Sequence, residues 1–351
     1  MVPSDSPSGP IKGAYAIVNE LAKRNLASVS LIFLKSGPGA NQPLDSRVMT
    51  HCLNMDKVGL FRACKEYRGL LRQSVGQKIV SLSMCFSADF INAFMSGVAS
   101  TYSSIRGNLV VNYKRDYGRI GPLLALFHFI ICRRFKKVFV LSDAMRYQVS
   151  KFISGEPLIQ RNFVDETPLD VYRTAGVSST ELRVGFLGSL SKRKRPLLLV
   201  DLLGDLVEQG HDVCLDIVGS GPLKSELELY ATKSGLLQKC TLHGFMKQPF
   251  KVLNNCDVLV LPSESEGTSR AVMEALYLGI PCVVFDVDGM EELITKNRNG
   301  VVIQSAEELS KAVLKARDLS TGYVDLPKPC LLPDLFRQET VINSMLEIFY
   351  E

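Results

Sequence analysis

The sequence predicts an α/β protein made of two doubly wound domains, each with a parallel sheet between layers of helices. The first observation is that short apolar runs alternate with helical stretches, regularly in the second half and less regularly in the first. This alternation implies right-handed crossovers and parallel strands. The second is length, because 351 residues suffice for two domains with separate cores. The third is a polar stretch without periodicity at 163–181, which separates the two patterns.

The second half has the more regular pattern. Its strand-like runs lie at 182–189, 212–219, 240–245, 257–262, 281–286 and 300–303. Its helical stretches lie between them, at 196–208, 221–235, 269–278, 290–296 and 305–317. Sheets of this type bind ligands at the carboxyl ends of their strands. We therefore expect a binding site among the residues that follow these strands, namely Ser189, Gly219, Pro262–Gly267 and Asp286–Gly289.

The first half follows a similar plan, with strands predicted at 28–35, 78–83, 100–105 and 137–141 and helices near 13–25, 57–73, 87–98, 121–134 and 142–153. A doubly wound domain normally starts with an apolar strand. This chain instead opens with the loop-like segment MVPSDSPSGP, in which only Val2 resembles a strand residue. We expect the first strand to be missing, either because the true start lies upstream, which we favour, or because the sheet lacks it.

These patterns define the expected domains. Residues 1–165, joined by a helical segment at about 335–351, are predicted to form the N-terminal domain. Residues 166–181 are the predicted linker, since they are polar and have no sustained period. Residues 182–334 are predicted to form the C-terminal domain.

The charge is unevenly distributed between the two halves. Residues 1–170 contain 22 Lys and Arg against 12 Asp and Glu, a net charge of +10, whereas residues 171–351 contain 19 against 24, a net charge of −5. The first half is therefore expected to contact an anionic partner, such as the phosphate of a lipid headgroup or of an acceptor. Nucleic acid is a weaker candidate, because no binding motif is recognisable and the basic residues are not interleaved with stacking aromatic residues.

Cysteine and histidine usage excludes several classes of site. The nine cysteines are scattered, odd in number and never form C-x-x-C, and the four histidines are not clustered. This pattern favours free thiols in a reducing cytoplasm over a disulfide framework or a zinc site. The longest apolar run, at 120–132, is too short to span a membrane and contains His128, so it is either a core helix or a surface-seeking one.

The segment SESEGTSRAVMEALYLG at 263–279 raises a specific question. It predicts a helix that is apolar around most of its circumference, with only Arg270 and Glu274 on a shared polar side. Such a helix is normally buried, and a buried carboxylate needs a partner. That partner is either Arg270, four residues earlier on the same face, or a bound ligand. A second acid, Glu266, lies in the loop just before the helix.

Eight segments together indicate a family. The second half contains GSLSKRKRP (188–196), IVGSGPLKSELE (217–228), HGF (243–245), CDVLVLPSESEGTSRAVMEALYLGIP (256–281) and DVDGMEELI (286–294). The first half adds GAYAIVNELAKRN (13–25), FVLSDAM (139–145) and IQRNFVD (159–165). In this order they resemble the retaining glycosyltransferases of family 4, also described as glycosyl transferases group 1. The resemblance implies the GT-B fold, in which two Rossmann-like domains face each other across a cleft.

The resemblance makes the C-terminal domain the nucleotide-sugar-binding one. Glu266 and Glu274 match the family's two glutamates separated by seven residues. By this match, Glu274 accepts hydrogen bonds from the ribose hydroxyls, and Glu266 faces the transferred sugar near its anomeric carbon. The backbone amides of Gly267, Thr268 and Ser269 open the helix and would bind the diphosphate.

Lys194 matches the family lysine that stabilises charge on the β-phosphate of the leaving group. The arginine that the family often has directly after Gly188 is replaced here by Ser189. The second cation is therefore open between Arg193 and Arg195. The resemblance assigns Gly188 and Gly219 to turns that pass close to the nucleotide. Gly219 begins the segment GSGP at 219–222, and an ordinary strand-to-helix turn would have the same sequence.

The resemblance makes the N-terminal domain the acceptor-binding one. A glycine-bearing loop before the first helix would face the diphosphate or the acceptor, and its residues are Gly9, Lys12 and Gly13. Family members often carry a histidine after a mid-domain strand. This chain has SIRGN there, at 104–108, which makes Arg106 and Asn108 candidates.

A possible metal motif needs a separate decision. Asp286–Asp288 reads DVD and matches the D-x-D that binds a divalent metal in the unrelated GT-A transferases. It falls late in a second doubly wound pattern, and short matches of this kind are common by chance. We therefore expect no metal and no cofactor, the donor substrate being a UDP- or GDP-sugar.

The expected function is retaining transfer of a hexosyl or related unit from a nucleotide sugar to an acceptor hydroxyl, in the biosynthesis of a cell-surface polysaccharide or glycolipid. Two rivals remain: an isomerase like the UDP-sugar 2-epimerases, which share the GT-B fold, and an inactive nucleotide-sugar-binding protein. The expected location is the cytoplasm, with peripheral attachment at the inner face of the membrane and a lipid-linked acceptor. The alternative is that the apolar run at 120–132 is an ordinary helix with basic ends. The membrane location is inferred from the basic residues that flank this run, which are Lys114, Arg115, Arg119, Arg133, Arg134, Lys136 and Lys137.

Overall fold

The computed structural model describes residues 1–6, 9–39, 43–74, 76–173, 181–287, 289–295, 297–320 and 328–351. Within them the chain divides into two compact units. The first unit comprises Met1–Phe163 and Gln338–Glu351, and the second comprises Val164–Arg337.

The first unit is built on parallel strands. In the described residues these are β1 (Val2–Ser4), β2 (Ser30–Lys35), β3 (Met49–Cys52), β4 (Val80–Met84), β5 (Ser100–Ser104), β6 (Lys137–Val140) and β7 (Leu158–Ile159). They pair in the orders β1-β2-β3 and β4-β5-β6-β7. The backbone of Met1 connects the two groups, because its carbonyl accepts a hydrogen bond from the Met84 amide at 3.0 Å.

Strand β1 corrects the expectation that the first strand is missing. Val2 is fully buried and pairs in parallel register with Phe33 of β2. The strand is only three residues long and includes Pro3, so no apolar run marks it in the sequence. The short strand is nevertheless held from two directions, because it pairs with β2 and because Met1 donates to the Leu82 carbonyl and accepts from the Met84 amide of β4.

Helices cover this sheet: α1 (Gly9–Arg24), α2 (Met55–Arg72), α3 (Phe86–Asn92), α4 (Leu109–Tyr117), α5 (Gly121–Cys132) and α6 (Asp143–Ser150). The C-terminal helix, Gln338–Tyr350, packs its buried residues Val341, Ile342 and Met345 into the same core as α1. The last residues of the chain therefore belong to the first unit.

The second unit has a six-stranded parallel sheet: β8 (Leu182–Leu187), β9 (Val213–Val218), β10 (Cys240–Gly244), β11 (Val258–Leu261), β12 (Cys282–Phe285) and β13 (Gly300–Ile303). The strand order is β10-β9-β8-β11-β12-β13. Its helices are α7 (Thr167–Asp170), α8 (Leu198–Glu208), α9 (Lys224–Lys233), α10 (Phe250–Asn254), α11 (Arg270–Tyr277) and α12 (Leu309–Ser320). Strands β11 and β12 are buried along their whole length, as expected for a sheet covered on both faces.

Some details of the second unit differ from the sequence-based expectations. The helix predicted at 290–296 is a single 3₁₀ turn, Met290–Glu292. Part of the predicted linker is structured, because α7 lies within 166–181 and its Leu169 is buried in the core of the second unit. The rest of that linker, 174–180, lies outside the described residues.

Candidate functional site

The candidate site lies at the carboxyl edge of the second sheet. All six strands are parallel, so the loops that follow them meet at one edge. Strands β8 and β11 are neighbours in the middle of the sheet. The loop after β8 contains the 3₁₀ turn Lys192–Lys194, and the loop after β11 leads through Glu266 to α11. The order of the strands therefore brings together two segments that are 72 residues apart in the sequence.

A buried cluster of one carboxylate and two cations joins these loops. Lys194 and Glu266 are 7% and 8% exposed, and the Lys194 ammonium donates a hydrogen bond to Oε1 of Glu266. The half-buried Arg193 guanidinium lies 3.1 Å from the same oxygen. Two positive charges thus share one negative charge, which leaves one unit of positive charge in the cluster when all three groups are ionised.

Burial and charge act in opposite directions on these groups. Burial lowers the pKa of Lys194, an effect that the Glu266 carboxylate partly offsets. Burial alone would raise the pKa of Glu266, but Lys194 and Arg193 outweigh it and hold that pKa below its usual value. Glu266 is therefore a carboxylate at neutral pH.

Backbone contacts fix the same two loops against each other. The Glu264 amide donates to the Arg193 carbonyl at 2.9 Å, and the Arg193 guanidinium donates to the Ser265 carbonyl. Arg195 has a left-handed backbone with φ of 44°, and its Nε donates to the Pro262 carbonyl at 2.6 Å. Its guanidinium also lies 4.1 Å from the ring centre of Phe285. The second cation beside Glu266 is therefore Arg193, whereas Arg195 binds the end of β11.

The glycines assigned to the donor site have a structural task. Gly219 has φ of 149°, and a Cβ there would overlap the carbonyl oxygen of Gly188. The Gly219 amide donates to the Gly244 carbonyl at 2.8 Å. The turn after β9 therefore passes directly over the turn after β8, and only glycine permits this approach.

Helix α11 begins where Gly267, Thr268 and Ser269 end the loop. Thr268 and Ser269 are buried, and the first helical residue is Arg270. The positive end of the helix dipole therefore lies three residues after Glu266. This is the arrangement that favours an anion.

Glu274 lies in the second turn of α11, half-buried and beside Arg270. Burial lowers the pKa of Arg270, and the negative charges of Glu274 and Asp165 act in the opposite direction. The charge of Glu274 thus acts on the Arg270 guanidinium of the same helix, as the sequence suggested. The structure brings Lys194, Arg193 and Glu266 together, and it gives Glu274 a separate cation in the same helix.

The candidates in the first unit are placed differently from the expectation. Gly9, Lys12 and Gly13 lie in α1 and not in a loop before it. Pro10 suits the first turn of a helix, because the amide that it lacks has no helical partner there. The predicted helix start was therefore wrong.

One of these glycines contacts another candidate. A Cβ on Gly13 would lie 2.6 Å from Nη2 of Arg106, so the Arg106 side chain passes directly over Gly13. Arg106 donates to the Asn162 side chain and to Ser104 Oγ, the latter at 3.3 Å. Asn162 lies in the segment IQRNFVD, and no local sequence pattern marks it as a site residue. Asn108 caps α4, since its side chain accepts from the Val111 amide at 3.2 Å.

The metal question concerns two places. Asp286 is exposed after β12, and Asp288 lies outside the described residues. Among the residues that the structure describes, one group of side chains is close enough to share a metal: Asp89, His128 and Cys132, all buried in the first unit. Asp89 already accepts hydrogen bonds from Ser83 at 2.6 Å and from His128 Nε2 at 2.8 Å, so this group is a satisfied hydrogen-bond network. In the described part of the chain, no helix combines the length and the apolar character that crossing a bilayer requires.

Comparison with known proteins adds family information to this geometry. The family model "Glycosyl transferases group 1" matches residues 173–321, which contain the whole cluster. Residues of this chain are 29% identical over 151 positions to the UDP-Gal:alpha-D-GlcNAc-diphosphoundecaprenol alpha-1,3-galactosyltransferase of Escherichia coli. That match covers 42% of this chain and 38% of the relative. The chain spans less than half the length of the curated relatives that it matches.

Solved structures match almost the whole chain. Sucrose-phosphate synthase from Thermosynechococcus elongatus superposes with a TM-score of 0.74 over 99% of this chain and 94% of its own, at 15% identity. HepE from Anabaena, solved with UDP and glucose, gives 0.73 over 99% of both chains, at 16% identity. The fold is that of the GT-B glycosyltransferases. Two Rossmann-like units were the fold class predicted from the sequence, and this prediction is confirmed.

Proposed function

We propose that this chain is a retaining glycosyltransferase of family 4 that transfers a sugar from a UDP- or GDP-sugar to an acceptor hydroxyl. The observation that carries the proposal is the buried cluster of Lys194, Arg193 and Glu266 at the carboxyl edge of the second sheet. The match of the glycosyltransferase family model to 173–321 supports it, because the cluster lies inside that range.

The cluster suits a diphosphate leaving group. As the bond to the anomeric carbon breaks, negative charge develops on the β-phosphate, and fixed cations nearby stabilise that charge. Lys194 and Arg193 are such cations, since Glu266 and the backbone hold them in place before the donor binds. The start of α11 adds the positive end of a helix dipole for the same anion. Glu274, in the second turn of that helix, would accept hydrogen bonds from the ribose hydroxyls.

The pKa of Glu266 bears on how the acceptor is deprotonated. A carboxylate whose pKa is held below its usual value is a weak base at neutral pH. Glu266 is therefore assigned to the hydroxyls of the transferred sugar and not to proton removal. The acceptor hydroxyl attacks the anomeric carbon on the face from which the diphosphate leaves, and its proton passes to the departing phosphate oxygen. This route retains the configuration and needs no metal.

The acceptor is proposed to be lipid-linked, and the product to be part of a surface polysaccharide or glycolipid. The Escherichia coli relative supports this, since its name gives a diphosphoundecaprenol-linked sugar as its acceptor. The basic first half of the chain supports it as well, because lipid diphosphates and inner-leaflet headgroups are anionic. The proposed location is accordingly cytoplasmic, with peripheral attachment at the membrane.

The experiment is incubation of the full chain with a panel of UDP- and GDP-sugars, with and without lipid-linked acceptors, in EDTA. The expected result is slow nucleotide release from one donor alone and faster release with an acceptor. Lys194→Ala should slow both about 10²-fold or more. Lys192→Ala is the matched control, because Lys192 is an exposed neighbour in the same turn.

The other outcomes are each distinct. A new sugar nucleotide formed without acceptor would mean an epimerase, and donor binding without turnover would mean an inactive binding protein. Activity that depends on added metal would contradict the metal-independent mechanism. Neither rival class is favoured by the comparisons.

A further inference from the structure

Helix α5 exposes apolar side chains that a soluble surface normally hides. Leu123, Leu126, Phe127 and Ile130 are 69%, 46%, 45% and 50% exposed. Their spacing of three, four and seven residues places them on one side of the helix. The other side is buried in the core of the first unit through residues such as Ala125 and Phe129. The helix is thus apolar all round yet lies at the surface.

Two neighbours extend this surface. Ile120, in the 3₁₀ turn before α5, is 59% exposed, and Phe94, which follows α3, is 43% exposed. The Phe90 ring links Phe94 to the helix, with ring centroids 5.4 Å from Phe94 and 6.4 Å from Phe127. We call this surface the apolar face and define it by Phe94, Ile120, Leu123, Leu126, Phe127 and Ile130.

Positive charge lies beside the apolar face. The segment 109–137 contains one acidic residue, Asp116, and Arg115 pairs with it at 3.1 Å. Arg134 is held at the rim, since its Nε donates to the Ala93 carbonyl at 3.2 Å and its guanidinium lies 5.0 Å from the ring centre of Phe94. The same segment contains seven exposed cations: Lys114, Arg115, Arg119, Arg133, Arg134, Lys136 and Lys137.

We propose that the apolar face docks the first unit onto a membrane that contains anionic lipids. Large apolar side chains enter the boundary between headgroups and acyl chains, while the neighbouring lysines and arginines contact lipid phosphates. A membrane accounts for both the apolar side chains and the cations, whereas other ligands account for only one of these features. A folded protein rarely leaves an apolar patch of this kind open to water, and an apolar centre has no use in binding a free phosphate.

A second copy of the chain does not suit this face. Two copies meeting through it would bring the exposed cations beside each face, such as Arg119 and Arg134, close to those of the other copy. Like charges at an interface repel unless they are paired. The anionic bilayer supplies the charge opposite to these cations, and this complementarity selects it as the occupant.

The inference rests on the proposed lipid-linked acceptor, because it places the enzyme where that acceptor lies. The transfer chemistry is assigned to the second unit and the docking to the first. Variants of the apolar face are therefore expected to lose membrane binding while they keep the slow nucleotide release that needs no acceptor.

The test is co-sedimentation of the full chain with vesicles of phosphatidylcholine alone and with vesicles that also contain phosphatidylglycerol. We expect binding to the anionic vesicles, weakened by salt. The double variant Leu123→Glu/Leu126→Glu should bind at least about tenfold more weakly, since each glutamate replaces an apolar contact by a charge repelled by the lipid. Leu229→Glu is the matched control, because Leu229 is 54% exposed in α9 of the second unit and should bind as the wild type does.

Charge is tested in the same assay. Arg119→Glu should weaken binding to anionic vesicles about fivefold or more, while Lys315→Glu, an exposed change in α12, should leave it unchanged. Equal binding by the double variant and the wild type would overturn the proposal. Equal binding to neutral and anionic vesicles would overturn it too, and so would a dimer in gel filtration that the double variant abolishes. Vesicle binding without any nucleotide release would leave the docking face standing and contradict the proposed function instead.

Discussion

At the scale of single residues, the proposed chemistry depends on a lysine that is buried before any ligand arrives. Replacing Lys194 by alanine removes a cation from the place where the diphosphate develops charge. We expect kcat for nucleotide release to fall about 10²-fold or more. Lys192→Ala, measured in parallel, should keep kcat and KM near those of the wild type, because that side chain is exposed. An unchanged kcat for Lys194→Ala would remove the lysine from the mechanism.

The same lysine also has a structural partner, so loss of activity must be separated from loss of stability. Lys194→Met leaves the buried Glu266 carboxylate with Arg193 alone, which should lower the free energy of unfolding. In the double variant Lys194→Met/Glu266→Gln no buried carboxylate is left short of a cation. We expect urea denaturation to show that stability recovers, while nucleotide release stays low. Recovery of both would mean that the pair is only structural.

Glu266 should make the stability of the chain sensitive to acid. Burial alone would raise its pKa, but Lys194 and Arg193 hold that pKa below the value of 4.5 for an unperturbed glutamate. The unfolded chain takes up this proton near 4.5 and the folded chain only at lower pH. The contribution of Glu266 is therefore complete above 4.5 and is lost as the pH falls through the folded pKa.

This loss is measurable by urea denaturation at a series of pH values. Between about pH 5 and 3, the free energy of unfolding of the wild type should fall more steeply than that of Glu266→Gln. Parallel curves would mean that Glu266 has the same pKa in the folded and unfolded chain. That result would contradict the assignment of a carboxylate held by two cations.

The residues of the cluster could be predicted from the sequence, but their pairing could not. The pattern KRKR at 192–195 left Arg193 and Arg195 as equal candidates for the second cation. The choice depends on backbone angles, since Arg195 is left-handed and turns towards Pro262 and Phe285. It also depends on a loop 72 residues away, which no local pattern describes.

At the scale of elements, the two turns at the sheet edge depend on glycine. We expect Gly219→Ala to lower the free energy of unfolding by at least about 2 kcal/mol, because a Cβ would overlap the Gly188 carbonyl and φ is 149°. Gly210→Ala is the control, since Gly210 also has a positive φ, of 82°, but its Cβ would meet nothing within 4 Å. It should cost only about 1 kcal/mol. Thermal or urea unfolding measures the loss of stability in both variants. Equal losses would mean that the backbone angle, and not the contact with Gly188, determines the cost of the added Cβ.

Element length decides how well the sequence predicts secondary structure here. The longer strands and helices of the second unit were predicted because apolar runs and helical periods extend over them. The elements missed in the two units have two to five residues, too few for any period to show. They are β1 (Val2–Ser4), β3 (Met49–Cys52), β7 (Leu158–Ile159), α7 (Thr167–Asp170) and α10 (Phe250–Asn254). Helix α4 is the exception, since it has nine residues and was also missed.

At the scale of the whole molecule, the sequence predicts two units but not which surfaces they leave open. The run at 120–132 is largely apolar, and such a sequence fits either a core helix or a surface helix. The structure shows that one side of α5 is exposed. The other side packs against α3, α4 and the core that includes β6, and these contacts are not encoded within the helix.

The two units should therefore respond to different ligands. Hydrogen exchange of the full chain with saturating UDP or GDP is expected to slow amides in 188–196 and 262–270, where the cluster and the start of α11 lie. Anionic vesicles should instead slow amides in 109–134, which include α4 and α5. Lys194→Ala should remove the protection by nucleotide and keep the protection by vesicles, and Leu123→Glu/Leu126→Glu should do the reverse.

The protection is large enough to detect amide by amide, because a ligand at a hundredfold excess over its Kd stabilises its site by about 2.7 kcal/mol. If nucleotide protected 109–134 instead, the donor site would have been assigned to the wrong unit.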